Sequence, residues 1–113
     1  MTRKMSQNFD AQRRETFETF AELKKRGTAL PRTSVVEFYL LAEDEDARWG
    51  ACEKALAALG YRTERDEESH TLIVATRGEL LITPESIWAA EKKVIEIALK
   101  FDFHPDGWEF GFD

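Results

Sequence analysis

Apolar residues recur along the chain with two alternating rhythms, and the changes of rhythm mark its elements. From about Asn8 to Arg26 the spacing is helical, with Phe9, Phe17, Phe20 and Leu23 near one stripe. Lys24, Lys25 and Arg26 sit where the helix dipole favours cations, and Gly27 is a good terminator. The segment TALPRT, residues 28–33, reads as a linker because Pro31 pushes Leu30 out of helical conformation. The rhythm then switches to period two. In 34-SVVEFYLLA-42 one side shows Val36, Phe38, Leu40 and Ala42, the other Val35, Glu37, Tyr39 and Leu41. Apolar groups on both sides predict a central strand.

A helix is expected next, opened by Asp44-Glu45-Asp46 and closed by Gly60, with Trp49, Cys52, Leu56 and Leu59 at helical spacing. YRTERD (61–66) suits an exposed edge strand, EES (67–69) a turn, and HTLIVATR (70–77) a second inner strand. RGELLI (77–82) either extends that strand or forms a short one of its own. The last helix starts clearly, with Thr83 as N-cap and Pro84 in its first position. Its apolar face is Ile87, Ala90, Val94, Ile97, Ala98 and Phe101. Trp88, Ile95 and Leu99 form a second stripe, which the N-terminal helix or a partner is expected to cover. His104-Pro105-Asp106-Gly107 reads as a turn leading into a final strand whose Trp108, Phe110 and Phe112 share one face.

The resulting order is a helix followed by β-α-β-β-α-β. It predicts an α+β fold, a ferredoxin-like βαββαβ sandwich with an additional N-terminal helix. Residues 1–33 would be the N-terminal helix and linker, and 34–113 the ferredoxin-like domain. The first and third strands of that domain would be central. Its uncovered sheet face would show Glu37, Tyr39, Ile73, Ala75 and Glu109.

Charge narrows the function. The net charge is −6. Residues 1–33 hold eight Lys/Arg against four Asp/Glu, whereas residues 34–113 hold eight against eighteen. An acidic body disfavours direct nucleic-acid binding, which depends on neutralising phosphates, and favours protein partners that carry basic segments. The expected third strand, TLIVATR, also lacks the aromatic residues of RNA-recognition modules on this fold. One cysteine allows no internal disulfide, and the N-terminus has no apolar leader. No stretch is long and apolar enough to span a membrane. A cytoplasmic protein is expected.

Candidate chemistry is sparse. His70 and His104 lie at element boundaries with no catalytic motif around them, and Cys52 lies on an apolar helical stripe. No phosphate-binding loop and no metal-ligand spacing occurs, so no catalytic residue, cofactor or metal is expected. The run 43-EDED-46 is the most informative cluster. At a helix N-terminus it would stabilise that helix, and it would also present negative charge where an Arg/Lys-rich segment could dock. Glu43, Asp44, Glu45 and Asp46, with Glu37 and Glu109, are therefore the candidate partner-binding residues. The alternatives are a small-molecule-sensing regulatory domain on the same fold, or an enzyme with His70 or His104 held against a carboxylate in a pocket. The oligomeric state stays open, with a homodimer as one option.

The ending ALKFDFHPDGWEFGFD resembles the C-terminal helix-to-strand segment of the regulator of ribonuclease E activity B (RraB) family. The shared pattern is a Lys-aromatic-Asp step, here Lys100-Phe101-Asp102, followed by Asp-Gly-Trp, here Asp106-Gly107-Trp108. The helix 47-ARWGACEKALAALGY-61 and the leading helix are also similar. The resemblance implies an acidic, non-enzymatic, ferredoxin-like inhibitor that binds the Arg-rich, non-catalytic region of ribonuclease E and alters messenger RNA turnover. Members often continue past the final strand into an acidic tail, whereas the sequence here ends at Asp113. Asp106, Gly107 and Trp108 are expected to be structural, Gly107 permitting a turn and Trp108 anchoring the last strand.

Overall fold

The computed structural model describes residues 2–43 and 47–110, with side chains from Phe9 onward. Its elements are α1 (Thr2–Lys25), β1 (Thr33–Ser34), β2 (Val36–Ala42), α2 (Trp49–Ala58), β3 (Tyr61–Asp66), β4 (Thr71–Thr76), β5 (Leu80–Leu81), α3 (Pro84–Lys100) and β6 (Phe103–Phe110). Four strands form an antiparallel sheet in the order β3-β4-β2-β6, with β2 and β4 inside and β3 and β6 at the edges. The two most apolar strands are thus the central ones, as the alternation predicts. The ambiguous stretch 77–82 resolves as β5, which pairs with β1 in a separate two-stranded sheet.

Register decides which side chains are buried. Phe38 faces Val74, Leu40 faces Leu72 and Val36 faces Phe110, so these residues share one side of the sheet. On that side they form one core with Cys52 and Leu56 of α2, Ile87, Val94 and Ala98 of α3, and Phe20 of α1. Apolar burial of this kind supplies most of the driving force. The alternate positions Glu37, Tyr39 and Leu41 face Ala75, Ile73 and Thr71 on the other side and are only half-buried.

Local chemistry sets the ends of the helices. Thr28 N–H donates to the Leu23 carbonyl and Gly27 N–H to that of Lys24, with Gly27 at φ +73°. This double closure needs a left-handed residue, which glycine adopts without a Cβ clash. Thr83 caps α3 by accepting a hydrogen bond from Ser86 N–H, with Pro84 following. In contrast, α2 starts later than the acidic run suggests. Arg48 is its N-cap residue and its first turn holds no acidic residue. Arg48 is held instead by α3: its N–H donates to the Phe101 carbonyl and its guanidinium to that of Lys100.

The final strand also departs from expectation. His104-Pro105-Asp106-Gly107 is part of β6, not a turn before it. The chain reverses earlier, at Asp102 (φ +68°), and Phe103, His104 and Pro105 already pair with Ala42, Leu41 and Leu40. Two residues, Asp106 and Gly107, then oppose the single Tyr39 before Trp108 pairs with Phe38. This is a β-bulge, and Gly107 takes its unusual conformation at φ +110°. The extra residue restores Trp108 and Phe110 to the helix-covered side. Phe112 and Asp44, Glu45 and Asp46 lie outside the described residues.

Candidate protein-interaction surface

The two sides of β6 place the candidate residues in different environments. Glu109 is the direct cross-strand partner of Glu37 on the side away from the helices. The Tyr39 hydroxyl donates to Glu37 Oε1 at 2.9 Å. Burial, then the hydrogen bond and negative charge of Glu37, with Glu109 adding to it, push the Tyr39 phenol above its ordinary value. Like charges directly opposite on a sheet are unfavourable, so this pairing needs a compensating partner or some other reason. Beside it, Glu37, Arg62, Glu64, Ile73 and Ala75 border a depression of about 260 Å³. The register adds Glu64 and Asp66 of β3 to this same side, opposite Ile73 and Thr71.

Glu43 lies beyond the other end of β2, roughly 20 Å of extended chain from Glu37. It is exposed, and its Oε1 sits 3.5 Å from His104 Nδ1. The fold therefore brings Glu37 and Glu109 together and keeps Glu43 apart from them, with Tyr39 and Leu41 between.

Trp108 points the opposite way. It stacks on Phe20 of α1 with centroids 5.5 Å apart, and Phe110 stacks on both. Its Nε1–H donates to Thr16 Oγ1 at 3.1 Å, and that hydroxyl donates to Glu91 Oε1 at 2.6 Å. Three distant parts of the chain meet here around a carboxylate with only 3% of its surface exposed. Burial raises the Glu91 carboxyl to about 7, with the Thr16 hydrogen bond opposing and the charge of Glu15 reinforcing the shift. Sequence reasoning missed Glu91. The available signal was its position three residues after Trp88 and four before Ile95, inside the stripe assigned to a covering element. α1 does pack on α3, and Ile95 is buried, while Trp88 and Leu99 are half-buried.

The residues weighed for catalysis do not assemble into a site. His70 is exposed in the β3–β4 turn at φ +57°. His104 has a carboxylate neighbour, yet 38% of its side chain and 56% of that of Glu43 are exposed, so no enclosed pocket surrounds the pair. Cys52 is fully buried, which pushes its thiol up to about 12, away from a nucleophilic thiolate. Among the described residues no cluster of His, Cys, Asp and Glu could hold a metal ion. No described helix is long and apolar enough to cross a membrane.

The described residues form an α+β domain whose open sheet face carries carboxylates on β2, β3 and β6. The chain belongs to the RraB family, regulator of ribonuclease activity B, which it matches over residues 13–110. That span runs from α1 to the end of β6 and includes the Asp106-Gly107-Trp108 step. No curated protein matches the chain.

Proposed function

We propose that this protein is a non-enzymatic regulator that binds a ribonuclease of the ribonuclease E type and lowers its activity through a surface of carboxylates. The observation that carries the reading is the family match over residues 13–110. The acid excess of residues 34–113 supports the mode, because a negatively charged body attracts a basic polypeptide and repels RNA. We read the β3-β4-β2-β6 order as that of a ferredoxin-like sandwich spanning 34–113, with residues 1–33 as its added helix and linker. Glu37 and Glu109, together with Glu43, Asp44, Glu45 and Asp46, are the contacts proposed. Asp106, Gly107 and Trp108 act structurally by forming the bulge and seating α1.

The test is capture of the ribonuclease from lysate by the tagged chain at low and at high salt, repeated with residues 43–46 changed to their neutral amides. Binding lost under both changes is the expected result. Capture indifferent to salt and to charge removal would defeat the electrostatic mode. Failure to capture any ribonuclease would defeat the regulatory reading itself.

A further inference from the structure

Resting on that binding role, we propose that the open side of the four-stranded sheet is the docking surface, and that its occupant is a lysine- or arginine-bearing polypeptide segment lying across Tyr39, Leu41, Ile73 and Ala75. These residues alternate with the core positions of β2 and β4, and none belongs to the core that α1, α2 and α3 complete. Each is half-buried, and the strip they form is largely apolar, with no described helix against it.

The charge around the strip selects the occupant. Register places the carboxylates of Glu37, Glu64, Asp66 and Glu109 on this side, and a single guanidinium, that of Arg62. Arg62 makes no ion pair with them among the described residues. Glu37 and Glu109 repel each other in register, and an incoming cation relieves that repulsion. The depression beside Glu37 and Glu64 offers Ile73 and Ala75 to the aliphatic stem of an arginine or lysine, leaving its head among carboxylates. A nucleic acid is repelled by such a rim. A second copy of the chain, docked by the same face, would set these carboxylates against themselves. A cationic protein segment satisfies both the apolar strip and its rim.

The experiment titrates the full chain against a labelled peptide alternating arginine and leucine, and against one alternating arginine and glycine. Glu37→Gln, Glu64→Gln and Glu109→Gln together preserve shape and should weaken both peptides about tenfold or more. The matched control, Glu67→Gln with Glu68→Gln in the adjacent turn, should leave affinity within about twofold. Ile73→Gln should weaken the arginine–leucine peptide selectively. Equal losses in the control, unchanged binding by the triple variant, or an Ile73→Gln variant that treats the two peptides alike would each overturn the proposal. Ribonuclease capture separates the two readings. Undiminished capture by the triple variant sinks the surface and leaves the regulatory role standing. No capture by the unaltered chain sinks that role, while the peptide titration still decides the surface.

Discussion

The two sides of the sheet are built from the same strands, one residue out of phase, and they differ in what holds them. Val36, Phe38, Leu40, Leu72 and Val74 are almost wholly removed from water beneath three helices. Their immediate neighbours Glu37, Tyr39, Leu41, Ile73 and Ala75 meet no described helix. One side serves cohesion; the other is free to carry charge that folding alone would not select. Glu91, the one buried acidic residue among those described, is accommodated by a hydroxyl and, behind it, an indole N–H.

The contrast is open to direct attack. The largest effect is expected from adjacent substitutions on β2. Phe38→Ala, at 2% exposure, should cost about 3–5 kcal/mol in urea denaturation. Tyr39→Ala should cost distinctly less, and equal losses would erase the distinction between the sides.

The next effect concerns pH. The Glu91 carboxyl is raised to about 7 in the folded chain from an ordinary 4.5, so the native state holds its proton more tightly than the unfolded state. Its contribution to stability is therefore complete below about pH 4.5 and is lost as pH rises to about 7, by roughly 2–3 kcal/mol. Glu91→Gln should flatten this slope and be the more stable form at pH 8, as thermal melts across the range would register. An unchanged slope would place the carboxylate in a wetter site than its burial indicates.

A smaller loss, about 1–2 kcal/mol, is expected for Gly107→Ala, because φ +110° strains any residue with a Cβ. The fluorescence of Trp108 should shift with it. Smallest of all is a gain: Glu109→Gln should raise stability by about 0.2–1 kcal/mol by ending the in-register repulsion with Glu37. A stabilising change that weakens partner binding would sharpen the division of labour between the faces.

Much of this arrangement was legible beforehand. Period-two alternation in 36–42 and 71–76 identified the central strands and the residues of each side, because strand geometry leaves little choice once one side is buried. Thr83-Pro84 and Gly27 marked helix ends through chemistry local to a few residues. What escaped depended on contacts across the chain. α2 begins at Trp49 because Arg48 is anchored to the end of α3, which a local reading of the acidic run could not reveal. Asp106-Gly107 has the composition of a turn, and only the partner strand makes it a bulge. Glu91 looks like any exposed helical glutamate until α1 is seen to bring Thr16 against it. Of the candidate contacts, Glu37 and Glu109 were correctly placed on the open side by alternation, whereas their direct pairing required the register.

The bulge has a further consequence for how copies of the chain coexist in a crowded solution. β6 is an edge, and a straight edge is a template on which a neighbouring molecule can add its own strand. Pro105 lacks the donor such an addition needs, and the kink at Asp106-Gly107 interrupts the ladder midway. The opposite edge, β3, carries Arg62, Glu64, Arg65 and Asp66 in six residues, a row of charges that discourages stacking. Both margins of the sheet are thus protected against runaway polymerisation.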